Sequence, residues 1–427
     1  MTVRDFPWPS ATPPFDLAPV PSPLPTLGNP ALWAILQQKI AASPHQRLTF
    51  AEYMDCVLYH PQQGYYATHV QFGTQGDFVT APHIVPDFGE LLAVQFRAIW
   101  ASLGYPDRFT LVEMGAGEGV LARDLLRSLH QQAPDCFAAL DYCMVEASPH
   151  LRDRQHQTLQ SLGSLADRVR WQRLEDLPAN GITGCFFANE LVDAFPVHQV
   201  IVQDGQLQEI YVTIAPESGQ TGPRLQEAIG DLSTPALLAY FDRLGLDLRS
   251  GQYPNGYRTE VNLAALDWLA QVASRLNQGY VLTIDYGYPA ERYYNPRRPQ
   301  GTLQCYYQQA HHNDPYAYLG HQDLTAHVDF TTLQGWGEAQ GLTTIGFTQQ
   351  GPYLMALGLG DRLSALANTQ DYLTGHALQH LLQRRQALHD LINPLGMGNF
   401  GVLLQAKGLG AAAATAWPLP QLANPSP

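Results

Sequence analysis

Apolar and polar positions follow two rhythms along the chain. Short apolar runs of strand length recur at FTLVEMG (109–115), DYCMVEA (141–147), GCFFANE (184–190), YVLTIDYG (280–287), TTIGFTQ (343–349) and GVLLQAKG (401–408), with the short VRWQRL (169–174) between the second and third. Runs of this kind, bounded by turn residues, read as buried strands. Helical spacing fills several of the intervals. It runs from Val120 to Gln132, through SPHLRDRQHQTLQSL with Ser148 as N-cap ahead of Pro149, and through VNLAALDWLAQVASRLNQG with Gly279 as its C-terminal stop. Strands alternating with helices predict an α/β fold around a seven-stranded sheet.

Two segments break the alternation. HQVIVQDGQLQEIYVTI (198–214) alternates at period two around Asp204-Gly205, a hairpin signal, and opens an insertion of about 198–260. The stretch 288–330 is rich in Tyr, His and Pro with weak periodicity, as expected of a lid or binding loop. Prolines from Pro7 to Pro30 make residues 1–30 an extended arm, and residues 409–427 read as a second tail. Residues 31–106 then form an N-terminal cap region, and 107–408 the core that carries both insertions.

Composition narrows the function. At 427 residues the chain exceeds one ordinary domain, so a large domain with insertions is expected. With 45% hydrophobic and 15% charged residues it is globular. A net charge of −14 argues against nucleic acid as a partner. No apolar window reaches the roughly 18 residues of a membrane span, so no direct insertion is expected. The five cysteines are scattered without a Cys-x-x-Cys pair, against a zinc ribbon and against a disulfide framework. The N-terminus lacks a secretory layout and is poor in arginine, which makes cytoplasm the expected address.

The candidate chemistry starts at Glu113-Met114-Gly115-Ala116-Gly117-Glu118-Gly119, where a strand turns into a helix. Glycines there allow close backbone approach, and the helix start offers unpaired N–H groups. Glu146, at the end of the next strand, is suited to accept both ribose hydroxyls of an adenosine ligand. A nicotinamide site would read G-x-G-x-x-G and leave the helix start open to a diphosphate. Acids at Glu113 and Glu118 repel a diphosphate but tolerate a sulfonium, so S-adenosylmethionine is the expected cofactor. Further acids follow the other strands: Glu175 and Asp176 after the third, with an acid there taking the adenine amine; Asn189, Glu190 and Asp193 after the fourth; Asp285 after the fifth. Ligands of open α/β sheets bind outside these strand ends, so the groups should converge on one crevice.

The strings YHPQQGYY (59–66), FGTQGDFVTAP (72–82), LVEMGAGEGVLARDLL (111–126), FFANELVDAFPVHQ (186–199), VLTIDYG (281–287) and GHQDLTAHVDF (320–330) closely resemble the MidA-type methyltransferases. The resemblance runs from about residue 47 to 408. It implies a seven-stranded S-adenosylmethionine-dependent methyltransferase fold with an N-terminal cap, and methylation of an arginine on a subunit of an NADH-dehydrogenase-type respiratory complex. Gly115, Gly117 and Glu146 fall on the cofactor motifs, with Ala116 between the two glycines. Gly76, Asp77 and Thr80 fall on a loop expected to cover the cofactor. Where the family loop usually reads GPGRG, this chain has GAGEG, exchanging a base for an acid.

For an arginine acceptor, carboxylates gripping two guanidinium nitrogens would orient the third toward the methyl. Glu190 and Asp193 are placed for that clamp, with Asp285 in reserve. Tyr65, Tyr66, Tyr306, Tyr307 and Trp336 are candidates for the cleft wall, each explained as well by core packing. The His and Asp residues between His311 and Asp329 match no standard zinc spacing, so no metal is expected. A small-molecule methyltransferase and a non-catalytic assembly factor remain as alternatives. Long insertions favour a macromolecular target, and the intact cofactor acids speak against a pure scaffold. The sequence leaves the oligomeric state open, a homodimer included.

Overall fold

The computed structural model describes residues 28–68, 80–215, 224–308, 310–369 and 375–410. Most of the proline-rich arm, Gly76, Asp77 and nearly all of the C-terminal tail lie outside the described residues. One sheet contains β1 (Phe109–Met114), β2 (Leu140–Val145), β3 (Val169–Gln172), β4 (Ile182–Asn189), β5 (Leu276–Asp285), β6 (Thr343–Gln349) and β7 (Gly401–Lys407). Its order is β3-β2-β1-β4-β5-β7-β6, parallel except for β7, which runs against both neighbours. All seven lie on the runs read as strands.

Both faces of this sheet are covered, which is why its strands read as continuous apolar runs. Along β1 the side chains alternate: Phe109 and Leu111 enter one core, Val112 and Met114 the other. The first core takes Leu121, Leu125, Leu126 and Leu129 of the helix Val120–Gln132, spaced to form one stripe. Each such leucine contributes roughly 1.5–3 kcal/mol by leaving water. The helix Asp87–Ser102 packs here as well, so it sits with the sheet although it lies within the 31–106 cap region of the sequence. The second core takes Ala265, Trp268, Leu269 and Val272 from the helix Leu263–Arg275.

Gly279 does not stop that helix. The helix ends at Arg275, and β5 begins at the next residue, carrying Gly279 at φ 141°. A Cβ on Gly279 would lie 1.9 Å from the Gly184 carbonyl oxygen, and one on Gly184 would lie 1.9 Å from that of Thr110. The glycines therefore serve a close approach of β5, β4 and β1, a demand that local periodicity does not display. Gly279→Ala is expected to destabilise the fold by about 2–3 kcal/mol. A urea midpoint equal to the parent's, at equal m-value, would contradict this.

The hairpin forms where expected, from His198–Gln203 and Gln206–Ala215, with Asp204 (φ 51°) and Gly205 (φ 72°) both left-handed as a two-residue turn requires. It is the centre of a five-stranded antiparallel sheet that adds Leu48–Thr49, Arg224–Gly230 and Arg258–Val261. The 288–330 stretch has more regular structure than its periodicity indicates. It holds the helix Ala290–Tyr293 and a three-stranded sheet of Gln304–Tyr307, Ala310–His312 and Asp323–Thr325. Strands of three or four residues are too short to show a period. Leu324 of this small sheet and Val212 of the hairpin share one apolar cluster with Leu36, Phe50 and Tyr53 of the N-terminal helices. Cap helices, hairpin and small sheet thus share one apolar core.

Candidate active site

Strand order reverses between β1 and β4, and that switch point opens a crevice beyond their C-terminal ends. A cavity of about 540 Å³ occupies it, within the roughly 300–1,000 Å³ typical of small-molecule sites. Gly115, Ala116, Gly117, Glu113 and Glu146 line one part of its wall, and Asn189, Glu190, Asp193 and Thr80 another.

The glycine loop follows β1 directly. Gly115, Gly117 and Gly119 have φ of 70°, 52° and 80°, and a Cβ on Gly115 would meet Leu191 Cδ1 at 2.6 Å. Gly119 then caps the helix Val120–Gln132. Glu146 stands one residue past β2, its Oε1 accepting from the Ser148 N–H (2.8 Å) and its Oε2 from Gln155 Nε2 (3.0 Å). The same Gln155 nitrogen donates to the Gly117 carbonyl at 2.9 Å, and Trp171 Nε1 donates to Gln155 Oε1 at 2.9 Å. Gln155 therefore ties the carboxylate to the loop. Ser148 also caps its helix, accepting from Leu151 N as expected.

Burial raises the Glu146 carboxyl above its usual range against these donors. Glu113 is buried beneath the loop and accepts the Tyr142 hydroxyl at 2.6 Å; burial pushes it up to about 7, and the tyrosine opposes the shift. Glu118 does not line the cavity, contrary to the electrostatic reading of the loop. Its carboxylate pairs with Arg154 at 3.0 Å and lies 3.7 Å from His83 Nε2. The acid exchanged into the loop has a basic partner on the helix Pro149–Leu159.

After β4 the backbone turns sharply. Glu190 has φ 53°, a conformation that costs a non-glycine residue about 1–3 kcal/mol and that clusters at functional sites. Its N–H donates to Ile284 O (2.8 Å), while its Oε1 accepts from the Ala81 N–H (3.2 Å) and from Asn189 Nδ2 (3.1 Å). Burial, reinforced by the negative charge of Asp193, pushes Glu190 up to about 8. Asp193 Oδ2 accepts the Tyr286 hydroxyl at 2.5 Å; burial raises this carboxyl to about 6. Its Oδ1 is buried without a hydrogen-bond partner among the described residues, and so is Asn189 Oδ1. Buried acceptors left open in this way are costly unless a ligand completes them.

Two expected site residues lie elsewhere. Asp285 is fully buried and does not line the cavity; its Oδ2 accepts from the N–H groups of Leu191, Val192 and Asp193, and its Oδ1 from Tyr286 N. It holds the turn that carries Glu190 and Asp193 and cannot touch an acceptor itself. Asp176 is exposed in the turn after β3 and is absent from the cavity wall, so no contact to an adenine amine is assigned to it. Position in sequence put it at a strand end, but β3 is the sheet's edge and its end is displaced from the switch point. Gly76 and Asp77 lie outside the described residues. Thr80, on the wall, has its hydroxyl 2.7 Å from His83 Nδ1.

Of the aromatic candidates, Tyr66 and Tyr306 reach the cavity. Tyr65 is buried in the cap core, Tyr307 stacks on Tyr318 with centroids 4.0 Å apart, and Trp336 donates to Leu266 O beneath Arg243. Tyr59, Tyr286 and Asp323 also line the cavity, and sequence reasoning did not place them there. Tyr286 was findable, since it follows Asp285 directly at the end of a central strand. Among the described residues, no group of three or more His, Cys, Asp or Glu is placed to hold a metal ion. Asp329 instead caps the helix Phe330–Ala339, and His327 stacks on Tyr288.

A glycine loop at a switch point, a carboxylate past the second strand, and an enclosed volume of this size fit an adenosine-bearing cofactor. The comparisons agree. A family model for S-adenosyl-L-methionine-dependent methyltransferases matches residues 91–348. A protein of Burkholderia thailandensis, crystallised with S-adenosyl-homocysteine bound, is 34% identical with a TM-score of 0.78, covering 92% of this chain and 96% of that one. The chain is 32% identical over 392 residues to the mitochondrial protein arginine methyltransferase NDUFAF7 homolog of Drosophila melanogaster, covering 86% of this chain and 84% of that protein. To the mitochondrial protein arginine methyltransferase NDUFAF7 of Homo sapiens it is 29% identical over 383 residues, or 84% and 80% of the two chains. The mitochondrial designation of these relatives overturns the cytoplasmic address expected from the arginine-poor N-terminus. Among the described residues no helix is long and apolar enough to cross a membrane. With the sheet order, the crevice and relatives matched over most of their length in agreement, the chain belongs to the family of S-adenosyl-L-methionine-dependent methyltransferases.

Proposed function

We propose that the protein methylates the guanidinium of an arginine in another protein, a subunit of an NADH-dehydrogenase-type respiratory complex. The observation that carries this reading is the pair of carboxylates on the wall of the cofactor cavity, half-buried Glu190 and buried Asp193, with Asp193 Oδ1 open to a donor. The names of the relatives as protein arginine methyltransferases support it. So does the wall that cap and insertion add to the cofactor cavity through Tyr59, Tyr66, Tyr306 and Asp323.

When bound, S-adenosylmethionine supplies a methyl group on a positively charged sulfur. The protein's share is to hold a nucleophile in line with that methyl and to keep water out, which is worth several kcal/mol. A guanidinium stays protonated and its nitrogen lone pairs are delocalised. Glu190 and Asp193, each accepting from a different nitrogen, concentrate the positive charge away from the third and turn it toward the methyl. Methylation leaves one surplus proton on that nitrogen. Glu190, raised to about 8, is the carboxylate that takes it once ionised, so this step gains as pH rises toward 8. The Tyr286 hydroxyl keeps Asp193 fixed and ionised beside it.

The test is incubation of the protein with methyl-labelled cofactor and the isolated subunits of such a complex. Label recovered as methylarginine after hydrolysis of one subunit is the expected result. Label confined to a small molecule, or to another side chain, would overturn the reading.

A further inference from the structure

Resting on the arginine reading above, we infer that Asp323, tethered by Tyr66, is the second jaw of the acceptor site: a specificity-determining carboxylate contributed by the 288–330 insertion that receives the far N–H edge of a guanidinium. Nothing in the glycine loop or the strand-end acids marks this residue. It lies on the strand Asp323–Thr325, is 3% exposed, and lines the same cavity as Glu190 and Asp193. Its Oδ1 accepts the Tyr66 hydroxyl at 3.0 Å.

The two acids are held in register. Three residues beyond Asp323, the Ala326 N–H donates to the backbone oxygen of Asp193 at 2.9 Å, pinning the insertion to the turn after β4. Tyrosines complete the chamber between them. Tyr66 stacks on Tyr59 with centroids 5.2 Å apart, and the Tyr59 hydroxyl donates to Ala194 O at 2.8 Å. Tyr306 pairs with Asp323 across the small sheet and also faces the cavity. Each acid is thus oriented by one tyrosine hydroxyl, Asp193 by Tyr286 and Asp323 by Tyr66. Tyrosine rings and carboxylates lining one cavity suit a flat, delocalised cation with N–H groups along several edges. An ammonium, a point charge with three donors, gains less from two such carboxylates.

Because the natural acceptor is a protein, the probe is N-acetyl-arginine methylamide, with the neutral N-acetyl-citrulline methylamide as control. Binding to the full chain saturated with S-adenosylhomocysteine is followed by saturation-transfer NMR. The parent should bind the arginine probe and not the citrulline one. Asp323→Asn should weaken the arginine probe roughly tenfold, with S-adenosylhomocysteine affinity within twofold of the parent. Tyr66→Phe, which removes only a hydroxyl, should weaken the probe severalfold and covers the case in which Asp323→Asn fails to fold. Equal probe affinity in the parent and in either variant that still binds S-adenosylhomocysteine overturns the inference while leaving the arginine reading intact. No preference for arginine over citrulline in the parent sinks that reading and the inference with it.

Discussion

Glu190→Gln should lower methyl transfer by about 10²–10³-fold, the scale of losing one group that acts on the reacting atoms, while S-adenosylhomocysteine binds as in the parent. The amide keeps an oxygen to accept from Ala81 N and Asn189 Nδ2, so the local geometry survives. What it loses is a negative charge for the guanidinium and a place for the departing proton. In the parent, transfer should rise with pH as Asp193 ionises near 6 and Glu190 near 8; in the variant the upper of these steps should vanish. A variant as active as the parent would remove Glu190 from the mechanism.

Stability should move the other way. A carboxyl whose folded pKa is raised from 4.5 to about 8 favours the native state when protonated. That contribution is present below about pH 4.5 and is lost as pH rises through about 8. Gln carries no charge to bury, so the variant should melt higher than the parent at pH 8. Glu190 then belongs to the residues that serve activity at a cost in stability.

The two rhythms of the sequence specify the sheet because each central strand is buried on both faces and each helix on one stripe. The same rhythms do not show what meets across the sheet. Gly279 looks like a helix stop when only its chain neighbours are considered, and becomes a cross-strand contact once Gly184 is beside it. The site divides similarly. Glu113 near the end of β1, and Gly115, Gly117, Glu146 and Glu190 just past strand ends, lie where the strands converge at the switch point, so position along the chain locates them. Asp176 follows the edge strand, where that rule weakens. Tyr59, Tyr66 and Asp323 reach the cavity only through the packing of cap against insertion, which depends on Leu36, Phe50 and Leu324 sharing one cluster. No local pattern encodes that. Asp285 is the reverse case: an acid at the correct place whose four backbone N–H partners give it another task.

Asp285→Ala is therefore expected to injure both fold and activity. Three N–H groups, of Leu191, Val192 and Asp193, converge on its Oδ2 inside the protein, and a methyl group leaves them unpaired. At about 1–3 kcal/mol for each group left unsatisfied, partly relieved by entering water, the loss should total about 3–5 kcal/mol. The turn they anchor presents Glu190 and Asp193, so transfer should also fall by about 10²-fold, the scale of a small misplacement of reacting groups. Asp285→Asn separates positioning from charge. Its amide oxygen can still face the three donors, with its NH2 set against the Tyr286 N–H, so it should retain most of the turn and lose only part of both quantities. A carboxylate that touched the acceptor would give the opposite ordering, with Asn as inactive as Ala but far more stable. Denaturant midpoints and turnover measured on the same two variants decide between these patterns; an inactive, fully stable Asp285→Asn would return this residue to the reacting centre.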